Sequence, residues 1–476
     1  MRQIFGEYKP DQPAHLNDGV QMADGVYPIA NGYAPLPQFA AAGNGTLAAK
    51  CLGAAAYRVG GTVYTFAATA TNIYKYTSSG YSSLKGSLTT SGAVGVRFCD
   101  YNDWMVMTNG TDAVQKFDPG TSTTVTANLG GSPPTGRFIG KVKSYLVLGY
   151  ASGDPLKMAW SDIGDPEIWS SGDAGTYFLS GGGDITGFVG GEDYGIILQE
   201  NRVVRMVPTF DDERFVYQEI SKDIGCIAPW SVAPYGKLVF FLSNQGWMAT
   251  DGYTVDPIGW EKIDRTFLNL FNRTYISNMS AAVDPLKGLL FASVPSANPT
   301  SQVFIYSFGL KRWTTAPVTS ERIFPALSQS INLDSLDALY PDGLDSIPVS
   351  LDSTLFRGGY PLLLLFDGSH QLGTLSGAPM GATLKGPEQE IFGEMKTRMT
   401  EVKPMSDAGT VEVTVFGRND LSETQTAKVF TSRTGRGRYK GRFNYAYSQL
   451  QFAIPAGTSW SFCQGADTAE VPGGRA

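Results

Sequence analysis

Histidine is nearly absent from this chain. Its 476 residues hold two, His15 and His370, which leaves little for a two-histidine metal site or a Ser-His-Asp triad. Cysteine is almost as scarce: Cys51, Cys99, Cys226 and Cys463 stand singly, the pattern of buried thiols in a reducing compartment rather than of a disulfide frame. Charge is thin as well, at 17% Asp, Glu, Lys and Arg against a usual value of about 25%. The formal net charge of −7 disfavours a general nucleic-acid binder, which needs clustered Lys and Arg for phosphate contacts. It does not disfavour a wall past which DNA slides. The longest obvious apolar run, Leu362 to Phe366, is far short of the roughly 20 residues that cross a bilayer. The opening MRQIFGEYKPDQP lacks the apolar stretch of a secretory signal, so the expectation is a soluble protein without a membrane segment.

Turn formers and aromatics are plentiful: 56 Gly, 27 Pro and 12% aromatic residues supply a core and keep the elements short. Residues 10–40 carry Pro10, Pro13, Pro28, Pro35 and Pro37, a density that forbids a long helix. Residues 1–45 therefore read as an extended Pro-rich arm. Its Val26, Tyr27, Ile29, Tyr33, Leu36 and Phe39 require cover from the same or a neighbouring subunit. If the cover is a neighbour, deleting residues 1–40 leaves a folded core that no longer assembles.

From residue 46 one unit recurs: an apolar run, a Gly/Asn/Asp/Ser turn, and a second apolar or alternating run. The first runs begin at Val63, Trp104, Tyr145, Ile196, Leu238 and Leu289, spaced 41, 41, 51, 42 and 51 residues apart. A further unit starts at Pro361. β-Rich units at a 40–50-residue period are the spacing of propeller blades, four-stranded sheets that must stack to cover their faces. Residues 46–378 are thus expected to form an all-β, propeller-like ring. Within it, 328–358 read as a long acidic loop bearing Asp334, Asp337, Asp342, Asp345 and Asp352, a candidate gate or partner contact. A calcium loop there lacks the EF-hand spacing. Residues 379–476 show period-two alternation in five runs and read as a separate antiparallel, sandwich-like β domain. Arg436, Arg438, Lys440 and Arg442 share one parity there, a candidate basic stripe facing DNA, an acidic neighbour or solvent.

Catalytic motifs are hard to find. Gly140-Lys141 lacks the remaining residues of a phosphate loop, and Gly435, Gly437 and Gly441 are one residue too long for a dinucleotide fingerprint. Ser161-Asp162-Ile163-Gly164-Asp165-Pro166-Glu167-Ile168-Trp169 is like the Asp-box of sialidase propellers, but out of register. No enzyme activity, cofactor or metal is expected.

Several phrases, taken in order, give a resemblance. VYPIANGYAPLPQF at 26–39, WSDIGDPEIW at 160–169, GCIAPWSVA at 225–233, FFLSNQGWMATDGYTVDPIG at 240–259, LFDGSHQLGTLSG at 365–377 and the closing RYKGRF, AGTSWSF and PGGRA look like the tail nozzle or hub proteins of short-tailed phages, the packaged-DNA stabilisation family. Gly25 stands where that family usually has Asn. The resemblance implies a virion tail protein, made in the host cytoplasm and assembled as a ring, expected to be a hexamer. Its implied neighbours are portal-side adaptor proteins and tail fibres, spikes or a needle. Genomic DNA would pass its lumen without sequence-specific binding. Two other classes remain open: a carbohydrate-binding or glycan-cleaving propeller, and a protein-interaction propeller.

Overall fold

Each recurring unit folds as an antiparallel four-stranded sheet whose strands follow one another in chain order. The structure, a computed structural model, describes residues 1–209, 211, 213–297, 301–328, 360–393 and 395–475. Blade one consists of Gly53–Val59, Thr62–Ala68, Ile73–Thr77 and Gly80–Lys85. Blade two runs from Arg97–Tyr101 to Ala127–Asn128, blade three from Phe138–Val142 to Gly175–Phe178, and blade four from Ile185–Val189 to Phe215–Ser221. Blade five runs from Ala233–Tyr235 to Val255–Pro257 and blade six from Ala281–Asp284 to Arg312–Ala316. Blade seven takes Arg322–Leu327, Pro361–Phe366 and Gln371–Pro379 from late in the chain and Pro37–Thr46 from its start. Six of these sheets are free-standing, and the seventh, blade six, continues into a larger sheet.

The ring closes because Arg322–Leu327 of blade seven lies against Gly53–Val59 of blade one. Every cleft between neighbouring blades then holds its own apolar cluster. Phe66, Met105 and Phe117 fill the cleft between blades one and two, and Tyr101, Val106 and Leu146 that between two and three. Val147, Met158, Ile197 and Phe215 fill the next. This arrangement explains the texture of the recurring runs. The second strand of each blade is buried on both faces, so it is apolar at consecutive positions rather than at alternate ones. Leu146 and Leu148 point into one cleft while Tyr145 and Val147 point into the next. Val239 and Phe241 likewise oppose Phe240 and Leu242.

The C-terminal unit is a two-sheet sandwich. One sheet holds Ala382–Glu390, Tyr447–Ile454, Glu412–Arg418 and Thr426–Phe430, the other Cys463–Arg475, Met395–Ser406, Tyr439–Tyr445 and Ser432–Arg433. The first 35 residues complete both. Arg2–Ile4 and Gly32–Pro35 pair with Cys463–Arg475, Val26–Ile29 pairs with Gly32–Pro35, and Met22–Asp24 pairs with Ala382–Glu390. Met22–Asp24 also meets blade six in parallel at Asp24 and Thr315, which makes one nine-stranded sheet from ring to sandwich. The Thr315 hydroxyl donates to the Asp24 carboxylate at 2.8 Å, and Gly25 N–H to the Thr315 carbonyl at 2.9 Å.

The Pro-rich arm is therefore laid along its own chain. Residues 1–45 are not a separate unit: Val26, Tyr33 and Leu36 are fully buried within the subunit. The physical reason is edge pairing, since the last blade and both sandwich sheets each lack a strand that only the N-terminus supplies. The residues from Val26, Tyr33 and Phe452 to Trp247, Phe304 and Trp313 form one continuous core shared by sandwich, blade five and blade six.

Candidate functional site

The seven inner strands begin at one face of the ring and surround its axis. Between those of blades two to five lies a cavity of about 450 Å³, lined by Arg97, Asp100, Lys141, Phe188, Glu192 and Pro229 among others. Glu192 is held by Lys141 at 3.5 Å. Near the starts of the inner strands, Trp230 meets arginines from two other blades. The guanidinium carbons of Arg97 and Arg322 lie 3.5 and 3.6 Å from its ring centroid. Two guanidiniums cannot share one indole face at that distance, so the ring is sandwiched between them. The three residues come from the starts of blades two, five and seven. Blades that are not neighbours meet only at the axis.

Burial, with repulsion from Arg322, pushes Arg97 down to about 9; burial pushes Arg322 down to about 10 against the opposing pull of the Cys51 thiol and the Glu321 carboxylate, so both keep their charge at neutral pH. Arg97 Nη2 donates to the Pro229 carbonyl at 2.7 Å and Arg322 Nη1 to that of Met279 at 3.0 Å. Arg97 Nε, Arg322 Nε and Arg322 Nη2 have no hydrogen-bond acceptor among the described residues. Glu321 turns the other way. Its carboxylate accepts the Cys51 N–H at 3.0 Å and faces His370 Nδ1 at 2.8 Å, which ties the starts of blades one and seven together. Lys50 Nζ donates to Asn278 Oδ1 at 2.5 Å beside this group, and burial and Arg322 hold its ammonium below the usual range. Arg137 stands at the same face with its guanidinium 3.7 Å from the Tyr150 ring centroid.

A second feature lies on the outer rim. Tyr177 of Gly175–Phe178 stacks on Tyr217 of Phe215–Ser221, with centroids 3.9 Å apart and planes at 11°, across the outermost strands of blades three and four. Tyr177, Phe178 and Val216 stay 43%, 55% and 39% exposed. An ion pair of Arg214 with Asp173 at 2.6 Å sits in the same cleft.

The acidic residues Asp334, Asp337, Asp342, Asp345 and Asp352 lie outside the described residues. Their flanks are hydrogen-bonded at Ser328 and Tyr360, at the end of blade seven's first hairpin away from Arg322. In the sandwich, Lys440 and Arg442 do share an exposed face of Tyr439–Tyr445, opposite buried Tyr439 and Phe443. Arg436 and Arg438 precede that strand, and Arg438 and Lys440 approach Glu401 at 3.5 and 3.9 Å. The run is an outer sheet face partly neutralised by Glu401. The Asp-box-like segment is a structural turn between the last two strands of blade three, where Asp162 Oδ1 accepts the Asp173 N–H at 2.7 Å. All four cysteines are free and buried; burial pushes the Cys51 thiol up to about 12.

Arg97, Arg137, Trp230 and Arg322 were not among the residues that periodicity singles out. A signal for the arginines was present, because Arg97-Phe98, Arg137-Phe138 and Arg322-Ile323-Phe324 put an arginine at or just before the start of the inner strand in three blades. Trp230 had none.

No family model matches the chain, and no curated protein matches it by sequence. Among solved structures, it is similar to PorZ of Porphyromonas gingivalis, described as a bacterial surface component of the type-IX secretion system, at 10% identity and a TM-score of 0.35. That match covers 84% of this chain and 46% of PorZ, so the chain spans less than half of that protein. The Pan2 WD40 domain of Neurospora crassa matches at 8% identity and a TM-score of 0.36, covering 75% of this chain and 90% of the other. BamB of Moraxella catarrhalis matches at 9% identity and a TM-score of 0.38, covering 74% and 92%. None of these three is a phage tail protein. The propeller stands on the chain's own sheets and clefts.

Proposed function

We propose that the chain is a structural assembly subunit, in its most specific form a tail nozzle or hub subunit of a short-tailed phage, assembled as a ring and acting by position rather than by bond-making. The observation that carries an assembly role is the exposed rim of blades three and four. Tyr177, Phe178 and Val216 lie on neighbouring outermost strands, where an exposed apolar patch is a contact for another subunit. The continuous sheet from ring to sandwich supports it, because a wall element must not hinge. The phage-specific form rests on the ordered sequence phrases. Native mass spectrometry and electron microscopy of the purified chain test both levels. The expected result is a closed ring, six-fold for a nozzle, that the paired change Tyr177→Glu and Phe178→Glu converts to monomer. A chain that stays monomeric while stably folded removes the ring and with it the nozzle.

The second reading, a monomeric protein-interaction propeller, is favoured by Tyr253 and Trp260. These residues are 63% and 60% exposed beside the last strand of blade five. The same experiment separates the two.

A further inference from the structure

We propose that the cavity walled by Arg97 and Arg137 binds a small oxyanion, a phosphate or carboxylate group. The two arginines line one cavity of about 130 Å³, together with Phe138, Tyr150, Thr186 and Pro229. Each guanidinium lies over an aromatic ring, Arg97 on Trp230 and Arg137 on Tyr150. Among the described residues neither has a carboxylate within ion-pair distance, nor does Arg322 behind Trp230. Asp184 and Glu200 line the same cavity and set its acidic rim without pairing to either arginine.

A buried cation is stable when paired or fully hydrogen-bonded. Here Arg97 and Arg322 meet at Trp230, and Arg137 lines one cavity with Arg97. A carbonyl oxygen serves Arg97 and another serves Arg322, and three of their nitrogens lack any acceptor. Cation–π contact offsets part of that cost. It also leaves N–H groups around the guanidinium rim for oxygen acceptors, the fork that takes two oxygens of a phosphate or carboxylate. The site is thus an anion site by chemistry in a protein of net charge −7, where general electrostatics would repel anions. Arg322 reinforces the field from behind, because its own free edge is sealed against solvent.

The test is titration of the intact chain with sodium phosphate and with sodium acetate, each against sodium chloride at matched ionic strength, by calorimetry and by tryptophan fluorescence. The expected result is saturable binding of at least one oxyanion, with a fluorescence change that Trp230→Phe removes. Binding of phosphate but not acetate names a phosphoryl ligand, and the reverse a carboxylate. Arg137→Gln, at a half-exposed position, is expected to weaken binding about tenfold with folding intact, and Arg97→Lys, which keeps charge but loses the fork, more than that. No saturable binding of either anion beyond chloride overturns the proposal. So does unchanged affinity in folded Arg137→Gln. The assay reads the single subunit and does not depend on ring assembly.

Discussion

The ring and the sandwich solve the same problem, covering β-sheet faces, in opposite ways. In the ring each blade but the last is made from one short stretch of chain, and each cleft is filled by residues of two neighbours. In the sandwich, strands from residues 1–35 interleave with strands from 382–475, and the core runs on without a break into blades five and six. Local assembly makes the ring modular, whereas closure between the two chain ends makes the sandwich all-or-none. The lesson is that the N-terminal segment, which looks like an accessory in sequence, is the element both units share.

The sharpest way to break the comparison is to remove that segment. Deleting residues 1–40 takes strands from both sandwich sheets and the first four of the ten residues of the outer strand of blade seven, so the expected outcome is loss of cooperative folding of the sandwich and insoluble product. This replaces the expectation of a folded, assembly-deficient core. Hydrogen exchange on any soluble fraction checks it; native-like protection of Tyr447–Ile454 in the truncated chain would count against it.

Next in size are cavity variants placed in each unit. Trp313→Ala removes a fully buried ring that packs on Tyr306 and donates to the Ile258 carbonyl at 2.9 Å in the shared core. Phe117→Ala opens only the cleft between blades one and two. Each is expected to cost roughly 3–5 kcal/mol. Trp313→Ala should lower protection in ring and sandwich together, and Phe117→Ala mainly in its two blades.

A smaller effect sharpens the join between the units. Asp11 of the N-terminal segment accepts the N–H groups of Arg265 and Thr266 at the start of the short helix Asp264–Leu270, beside buried Asp264. Burial, with a lesser push from Asp11, raises the Asp264 carboxyl to about 6, while its Oδ1 accepts the Trp247 N–H at 3.0 Å. The folded state therefore holds the proton more tightly than the unfolded chain. This stability is complete below about pH 4 and is lost as pH rises to about 6. Asp264→Asn keeps the acceptor and is expected to flatten that fall and add about 1–2 kcal/mol at neutral pH, read from urea melts across the range. The smallest effect is expected from Lys440→Ala with Arg442→Ala on the exposed sandwich face, within about 0.5 kcal/mol. A large loss there would mean that the face packs against something.

The repeat was legible because each blade's second strand is buried on both faces: Val63, Trp104, Tyr145, Ile196, Leu238 and Leu289 each start or nearly start such a strand. The alternating runs after residue 382 were legible for the converse reason, one face wet and one dry. Length, turn formers and continuous or alternating apolarity are local properties, and local properties settle which segments are strands. Which strands are neighbours is not local. That Pro37–Thr46 closes the last blade, that Met22–Asp24 joins ring to sandwich, and that Arg97, Trp230 and Arg322 meet on the axis each depends on residues brought together from over 90 to over 330 positions apart. An arginine before a phenylalanine is unremarkable in a string of residues. Only ring closure brings Arg97 and Arg322 onto Trp230 and sets Arg137 beside Arg97 in one cavity.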